Sequence, residues 1–332
     1  MLKCAIVGAT GLVGSTFLKV LEERGLNNIS YTLFASKRSA NKKIVFFGKE
    51  YEVHELTKHS FENEKFDFAL FSAGSNVSQE YSKIASKQGT IVIDNSSAFR
   101  MNKDVPLVVP RVNKDKLKNN KNIIANPNCS TIQAVCALKP LYDKYGIKRI
   151  IYSTYQAVSG AGQKGIEDLY NTSKGMDAKK FPYKIYNNCI PQIDVFLENG
   201  YTKEEMKMIE ETKKILNDYE LDITATCVRV PVINSHSESI NIELKNDFKI
   251  EDIFELYKNT NGIKLIDDTK NNVYPINEIA NDTDDVYIGR IRRDFSNKNS
   301  LNIWVVADNI RKGAASNAID ILETLLKEKI TG

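Results

Sequence analysis

The segment CAIVGATGLVG, residues 4–14, restricts the fold more than any other stretch of the chain. The apolar run from Cys4 to Val7 is too short for a helix and suits a buried strand. Gly8, Gly11 and Gly14 follow it, and a helical pattern of apolar residues then runs from about Gly11 to Arg24. Strand, glycine turn and helix in that order place a tight turn at the end of a buried strand. The rhythm then repeats. YTLFAS, FDFALFSAG, TIVIDNS and NIIAN read as further short strands, and a second helical pattern spans about Val77–Gln88. Continuous apolar strands separated by helices predict a parallel sheet with crossover helices over residues 1–128.

Beyond Cys129 the strand-like runs lengthen: KRIIYSTYQAV, DITATCVRVPV, ESINIEL, VYIGRIRR and LNIWVVAD. A helix is expected from TIQAVCALKPLYDKYG, and others near 163–173, 202–217 and 251–260. This predicts an α+β domain, 129–313, with helices on one face of its sheet. A final helix, 314–332 at its widest, has Ala318, Ile319, Ile321, Leu322 and Leu325 on one side and could cover either domain. The 332 residues suffice for two cores. The fold class is α/β: a Rossmann-type dinucleotide-binding domain followed by an α+β domain.

Several function classes are disfavoured by composition. A net charge of +4 suits small anionic substrates but is weak for nucleic acid, and no basic block is interleaved with aromatics. No apolar run approaches a membrane span, and the short N-terminal one ends in the glycine turn rather than a cleavage site. The five cysteines, Cys4, Cys129, Cys136, Cys189 and Cys227, are odd in number and form no CxxC pair. Neither a disulfide framework nor a metal site is expected, and reduced thiols fit a cytoplasmic protein.

Gly8, Gly11 and Gly14 suit a dinucleotide, with its pyrophosphate on the helix N-terminus. The GxxGxxG spacing also occurs in plain strand–helix turns, so the alternating β/α context carries the reading. An NAD site usually has a carboxylate at the end of the second strand; here that strand runs into Ser36, Lys37, Arg38 and Ser39. A basic, hydroxyl-rich loop favours the 2′-phosphate of NADP.

Cys129, in NPNCST, sits at the start of the expected helix, where backbone N–H groups and the helix dipole favour a thiolate. Its possible partners are few. His54 and His59 lie in a polar stretch, while His236 follows an apolar strand in RVPVINSHSES. Gln156 ends a strand before the small-residue turn AVSGAG. Arg100, Lys207 and Arg229 are candidates for anions, although Lys207 lies in a Glu- and Lys-rich helix that by default is a solvated face.

With GATGLVG, DNSSAFR, NPNCST, YQAVSGAG, EEMK, RVPVINSHSE and DNIRKGAA in this order, the chain resembles the aspartate-semialdehyde dehydrogenases, specifically their NADP-linked bacterial type, over nearly its whole length. The resemblance implies reductive dephosphorylation of L-4-aspartyl phosphate to L-aspartate 4-semialdehyde with NADPH, leading to lysine, threonine, methionine and diaminopimelate. It implies that Cys129 is the nucleophile of a thioester route, His236 the acid/base and Gln156 an orienting group. Arg229 would clamp the substrate carboxylate, Glu204 would receive its amino group, and Arg100, Asn128 and Lys207 would hold phosphate. Around the cofactor it points to Thr10, Gly11, Leu12, Val13, Arg38, Ser39, Ser159, Gly160 and Asn309. It also implies that residues 129–313 form a catalytic and dimerisation domain, in a homodimer or homotetramer whose small-molecule partners include inorganic phosphate. Two alternatives remain open. One is an N-acetyl-glutamyl-phosphate reductase-like enzyme, whose cysteine segment reads differently; the other is a non-catalytic NADP-binding relative. Glyceraldehyde-3-phosphate dehydrogenase shares the chemistry but not these segments.

Overall fold

The computed structural model describes residues 1–328, which fall into two compact units: residues 1–128 together with the chain from Ala314 onward, and Cys129–Gly313. Positions 329–332, the end of the expected final helix, lie outside the described residues.

In the first unit β1 (Leu2–Val7) leads into α1 (Leu12–Glu23). There follow β2 (Ile29–Ala35), β3 (Lys43–Phe46), β4 (Lys49–Glu55), β5 (Phe68–Phe71), α2 (Ser75–Lys87), β6 (Ile91–Asp94), α3 (Pro110–Asn113) and β7 (Ile123–Ala125). The seven strands lie in the order β3-β4-β2-β1-β5-β6-β7. All neighbours are parallel except β3 and β4. β5 and β6 are buried at every position, as a sheet covered on both faces requires. The β3–β4 hairpin was not anticipated. Its signal is the polar alternation of KEYEVHE, a half-exposed strand, and a turn in which Phe47 and Gly48 both take positive φ, 49° and 66°.

The second unit contains α4 (Cys129–Tyr145), β8 (Ile147–Gln156), α5 (Gln163–Ser173), α6 (Lys203–Leu216), β9 (Asp222–Arg229), β10 (His236–Leu244), α7 (Ile250–Lys258), β11 (Ile263–Leu265), α8 (Asn277–Ala280), β12 (Val286–Arg293) and β13 (Ser300–Ala307). Its six-stranded mixed sheet runs β11-β12-β13-β10-β8-β9. α4 packs against β8, β10, β12 and β13, α6 against β9 and α4, and α7 against β11, β12 and α4. α6 is fixed at its start by a capping box: Thr202 Oγ1 accepts from the Glu205 N–H, and Glu205 Oε2 accepts from the Thr202 N–H at 2.7 Å. At its end, Asn217 takes the left-handed conformation. The segment 174–202 contains no helix or strand beyond single bridges.

The remaining helix, α9 (Ser316–Glu328), packs on α1, α3 and β6 of the first unit. Its buried residues Ala318, Ile319, Ile321, Leu322 and Leu325 join the core that includes Ile6, Phe17, Leu21 and Ile93. Two polar anchors direct it there. Asn317 Nδ2 donates to Asn126 Oδ1 at 2.7 Å, and Arg24 Nη1 meets Asp320 and Glu323, each at 2.6 Å.

Candidate active site

In the first unit, Gly8 has φ 86°, and a side chain there would place Cβ 2.6 Å from the Ser72 carbonyl oxygen. A Cβ on Gly14 would lie 2.0 Å from the Gly8 oxygen, so helix and turn approach more closely than any other residue permits. Gly11 is the N-cap of α1 and no side chain caps that end, so the first-turn N–H groups of Leu12, Val13 and Gly14 face outward without a side-chain acceptor. This arrangement fits a phosphate. The loop after β2 exposes Ser36, Lys37 and Arg38, with Ser39 half-buried. Sheet register also brings Glu55 opposite Ala35, so one carboxylate does lie at this strand end, contributed by β4. Arg100 is buried elsewhere in this unit: its Nε donates to the Asn126 carbonyl and its Nη2 to the Asn95 carbonyl, both at 2.9 Å. Asn128 is also buried.

In the second unit the sheet's pairing does the gathering. β8 and β9 are parallel, and Gln156 pairs with Arg229 at their carboxyl ends. β10 is antiparallel to β8, so it begins where β8 ends and places His236 beside them; β13, antiparallel to β10, delivers Ala307 opposite His236. Asn309 follows two residues on. Its Oδ1 accepts from the Ser235 N–H at 2.9 Å, and its amide pairs with the Ser159 hydroxyl at 3.0 Å. Residues far apart in sequence thus meet at one end of one sheet.

Cys129 Sγ lies 3.3 Å from His236 Nε2. The other ring nitrogen, Nδ1, accepts the backbone N–H of Ala157 at 3.0 Å. Nδ1 is therefore unprotonated, and a neutral ring carries its proton on Nε2, facing the sulfur. Burial pushes the His236 pKa well below the usual histidine value, and the Arg229 charge acts in the same direction. The geometry thus offers Sγ a neutral hydrogen-bond donor. Arg229 also faces Cys129, and that positive charge favours a thiolate.

Arg229 is buried, with Nη1 donating to the Ala157 carbonyl at 2.6 Å. Gly160 closes over it: a Cβ there would lie 2.9 Å from Arg229 Nη1 and 3.2 Å from His236 Nε2. Only glycine leaves that space open. Glu204 and Lys207 project from the same face of α6, one turn apart. Gln156 Nε2 donates to Glu204 Oε1 at 3.3 Å, and Lys207 Nζ meets Glu204 at 3.1 Å and Asp194 at 2.9 Å. Lys207 is therefore held in an ion-pair network rather than on a solvated face.

Three contributors escaped sequence reasoning. Asp194 sits in an irregular segment with no local signal. Gly313, in DNIRKGAA, presses on Cys129, since a Cβ there would lie 2.8 Å from Cys129 Cβ. Glu238, two residues after His236, is fully buried with neither carboxylate oxygen hydrogen-bonded. Burial pushes its carboxyl well above the usual range, the neighbouring Gln133 amide opposing and Glu204 adding to the shift. Gln133 Nε2 itself donates to the His236 carbonyl. His54 and His59 are both exposed, the latter paired with Glu62. Among the described residues no group of three or more His, Cys, Asp or Glu could hold a metal ion, and no helix is long and apolar enough to cross a membrane.

Residues 3–120 match the family model of the semialdehyde dehydrogenase NAD binding domain, and residues 138–312 that of the semialdehyde dehydrogenase dimerisation domain. The aspartate-semialdehyde dehydrogenase of Aquifex aeolicus is 54% identical, with 98% of each chain covered. The crystal structure of aspartate-semialdehyde dehydrogenase II from Vibrio cholerae complexed with ASA superposes with a TM-score of 0.95 at 45% identity, over 99% of both chains. The Candida albicans aspartate-semialdehyde dehydrogenase with NADP gives 0.78 at 27% identity, again over 99% of both chains.

Proposed function

The chain belongs to the aspartate-semialdehyde dehydrogenase family, and on that premise we propose that it reduces L-4-aspartyl phosphate to L-aspartate 4-semialdehyde with NADPH, reversibly and through a thioester on Cys129. The observation that carries the reading is the Cys129–His236 contact with Arg229 beside it. In the oxidising direction the Cys129 thiolate adds to the aldehyde carbon, the C=O π bond breaks, and the oxygen is left as the alkoxide of a hemithioacetal, from which hydride can leave without a further proton transfer. NADP, when bound, supplies the hydride acceptor that turns this adduct into a thioester. Inorganic phosphate then attacks the thioester carbonyl, releasing the acyl phosphate and restoring the thiolate.

His236 handles the proton. With Nδ1 accepting from Ala157, the neutral ring presents its Nε2–H to the sulfur and stabilises the thiolate; as the acid/base of the cycle it gives up that proton only while it takes another on Nδ1, at the cost of the Ala157 hydrogen bond. Gln156 orients the acyl group. Arg229 suits the substrate carboxylate because a guanidinium forms two parallel bonds to it. Glu204 receives the substrate amino group. Lys207, Arg100 and Asn128 are each assigned to phosphate on the strength of the family resemblance. On the cofactor side the turn residues Gly8, Thr10, Gly11, Leu12, Val13 and Gly14 hold the pyrophosphate. Arg38 and Ser39 take the 2′-phosphate, which the basic loop and the NADP complex of the Candida albicans relative both support. Ser159, Gly160 and Asn309 are assigned to the cofactor by the same resemblance.

The enzyme serves lysine, threonine, methionine and diaminopimelate synthesis in the cytoplasm as a homodimer or homotetramer assembled through residues 129–313. The match to a dimerisation domain supports this, as do exposed Tyr155 and half-buried Trp304, whose rings lie 5.5 Å apart. The decisive assay supplies L-aspartate semialdehyde, NADP and phosphate and follows NADPH absorbance. Turnover should require phosphate. No NADPH formation, together with no fast-reacting cysteine towards iodoacetamide, would mark a non-catalytic binder.

A further inference from the structure

The irregular segment 174–202 is too long to be a simple connection, and long ordered loops usually have work to do. Three features tie it down. Asp168, buried on α5, accepts the backbone N–H groups of Lys179, Lys180 and Phe181 at 2.7, 3.0 and 3.0 Å. Ile185 and Ile190 pack with Val158 and Leu169 in a small separate core, against which Ile166 and Phe181 lie. Ile190 also exchanges both backbone hydrogen bonds with Arg229, each 2.9 Å. The segment is thus bonded to the main chain of Arg229 and reaches its side chain as well. The Phe181 ring centroid lies 5.8 Å from Arg229 Cζ, within cation–π range.

Arg229 is therefore bounded on several sides. Phe181 faces its guanidinium, the Ala157 carbonyl takes one Nη1 hydrogen, and Gly160 lies against Nη1. Burial opposes ionisation of Asp168, yet its three backbone bonds outweigh this and hold its carboxyl below the usual range, so the anchor stays charged and closed at working pH. Gly165 is required chiefly by the backbone, since a Cβ there would lie 2.3 Å from the Val158 carbonyl oxygen, and it would also crowd Phe181 Cζ at 3.3 Å.

We propose that Phe181, seated by Asp168, is a positioning residue that fixes the plane of the Arg229 guanidinium and thereby sets selectivity for aldehydes bearing a carboxylate. The proposal rests on the reading of Arg229 as the carboxylate clamp.

The test uses full-length enzyme in the oxidising direction, comparing L-aspartate semialdehyde with butanal, a short aldehyde lacking the carboxylate. Phe181→Leu should raise the semialdehyde KM about two- to thirtyfold, the range of a cation–π contact. The phosphate KM and butanal turnover should stay as they were. Phe181→Tyr should restore the parent values, and Asp168→Asn should act in the same direction as Phe181→Leu. Because both changes act through one ring, the double variant should be less than additive. An unchanged semialdehyde-to-butanal preference in Phe181→Leu, where Arg229→Lys does lose it, overturns the proposal. If Arg229→Lys itself keeps the preference, the clamp reading falls first and takes the proposal with it.

Discussion

The glycine turn at residues 8–14 and the cluster around Cys129 are built by opposite means. The turn is made of backbone. Gly8 and Gly14 remove side chains where the chain touches itself, and α1 presents an uncapped end. The cluster is made of buried and half-buried side chains, each held by a second one or by the backbone: His236 by the Ala157 N–H, Arg229 by the Ala157 carbonyl and Phe181, Lys207 by Asp194 and Glu204. A backbone site tolerates change everywhere except at its glycines. A side-chain site pays for every partner lost, because burial leaves the remaining polar group without water.

The largest effect expected from this contrast is Cys129→Ser. It should lower turnover roughly 10⁴-fold or more, as loss of a nucleophile does, while dinucleotide binding, measured by calorimetry, stays intact because the turn lies in the other unit. Weakened dinucleotide binding in that variant would break the division of labour. Labelling sharpens the same point. Cys4, Cys136 and Cys227 are buried, and burial pushes the Cys4 and Cys227 thiols far up, so the competitor for iodoacetamide is exposed Cys189, which Cys129 should outpace.

His236→Asn should reduce kcat by about 10²–10⁴. His236→Gln, which can return an N–H near the Nε2 position, should retain at least tenfold more, since the resting ring meets Sγ as a donor. Equal losses in the two variants would mean that proton transfer, not hydrogen-bond donation, dominates. His54→Asn and His59→Asn should be silent.

Arg38→Ala tests the first unit at a side chain. The ratio of kcat/KM for NADPH over NADH should fall roughly ten- to a hundredfold, the worth of one charge-assisted hydrogen bond. A constant ratio would remove Arg38 from the site and turn attention to Glu55 beside Ala35.

The smallest effect is on stability. The folded state keeps the Glu238 proton to higher pH than the unfolded chain, which releases it near about pH 4.3. Above that value the folded protein binds more protons than the unfolded one, so stability falls as pH rises through the window, until Glu238 ionises in the folded state too. Glu238→Gln removes this slope, and its melting temperature should gain on the parent as pH rises above the range in which the unfolded carboxyl titrates. Parallel curves would show that Glu238 is ionised in both states.

What the sequence determined by itself follows from local chemistry. Glycines at 8, 11 and 14 after an apolar run dictate a strand–turn–helix, and β5 and β6 read as buried strands because every residue in them but the terminal Asp94 is apolar. α5 lies at the expected 163–173 for the same reason: its period is local. KEYEVHE was missed because its alternation is polar and weak. Most catalytic candidates were legible only as members of family segments, since a lone His236 or Lys207 has no distinguishing neighbour in sequence. Tertiary structure decided the rest. The final helix has an apolar face that would suit either domain, and its choice rests on Asn317 finding Asn126, and Arg24 finding Asp320 and Glu323. Likewise Gln156, Arg229, His236 and Asn309 meet because β9 runs parallel to β8, β10 antiparallel to β8 and β13 antiparallel to β10, and strand pairing acts between residues too distant for any sequence period to link.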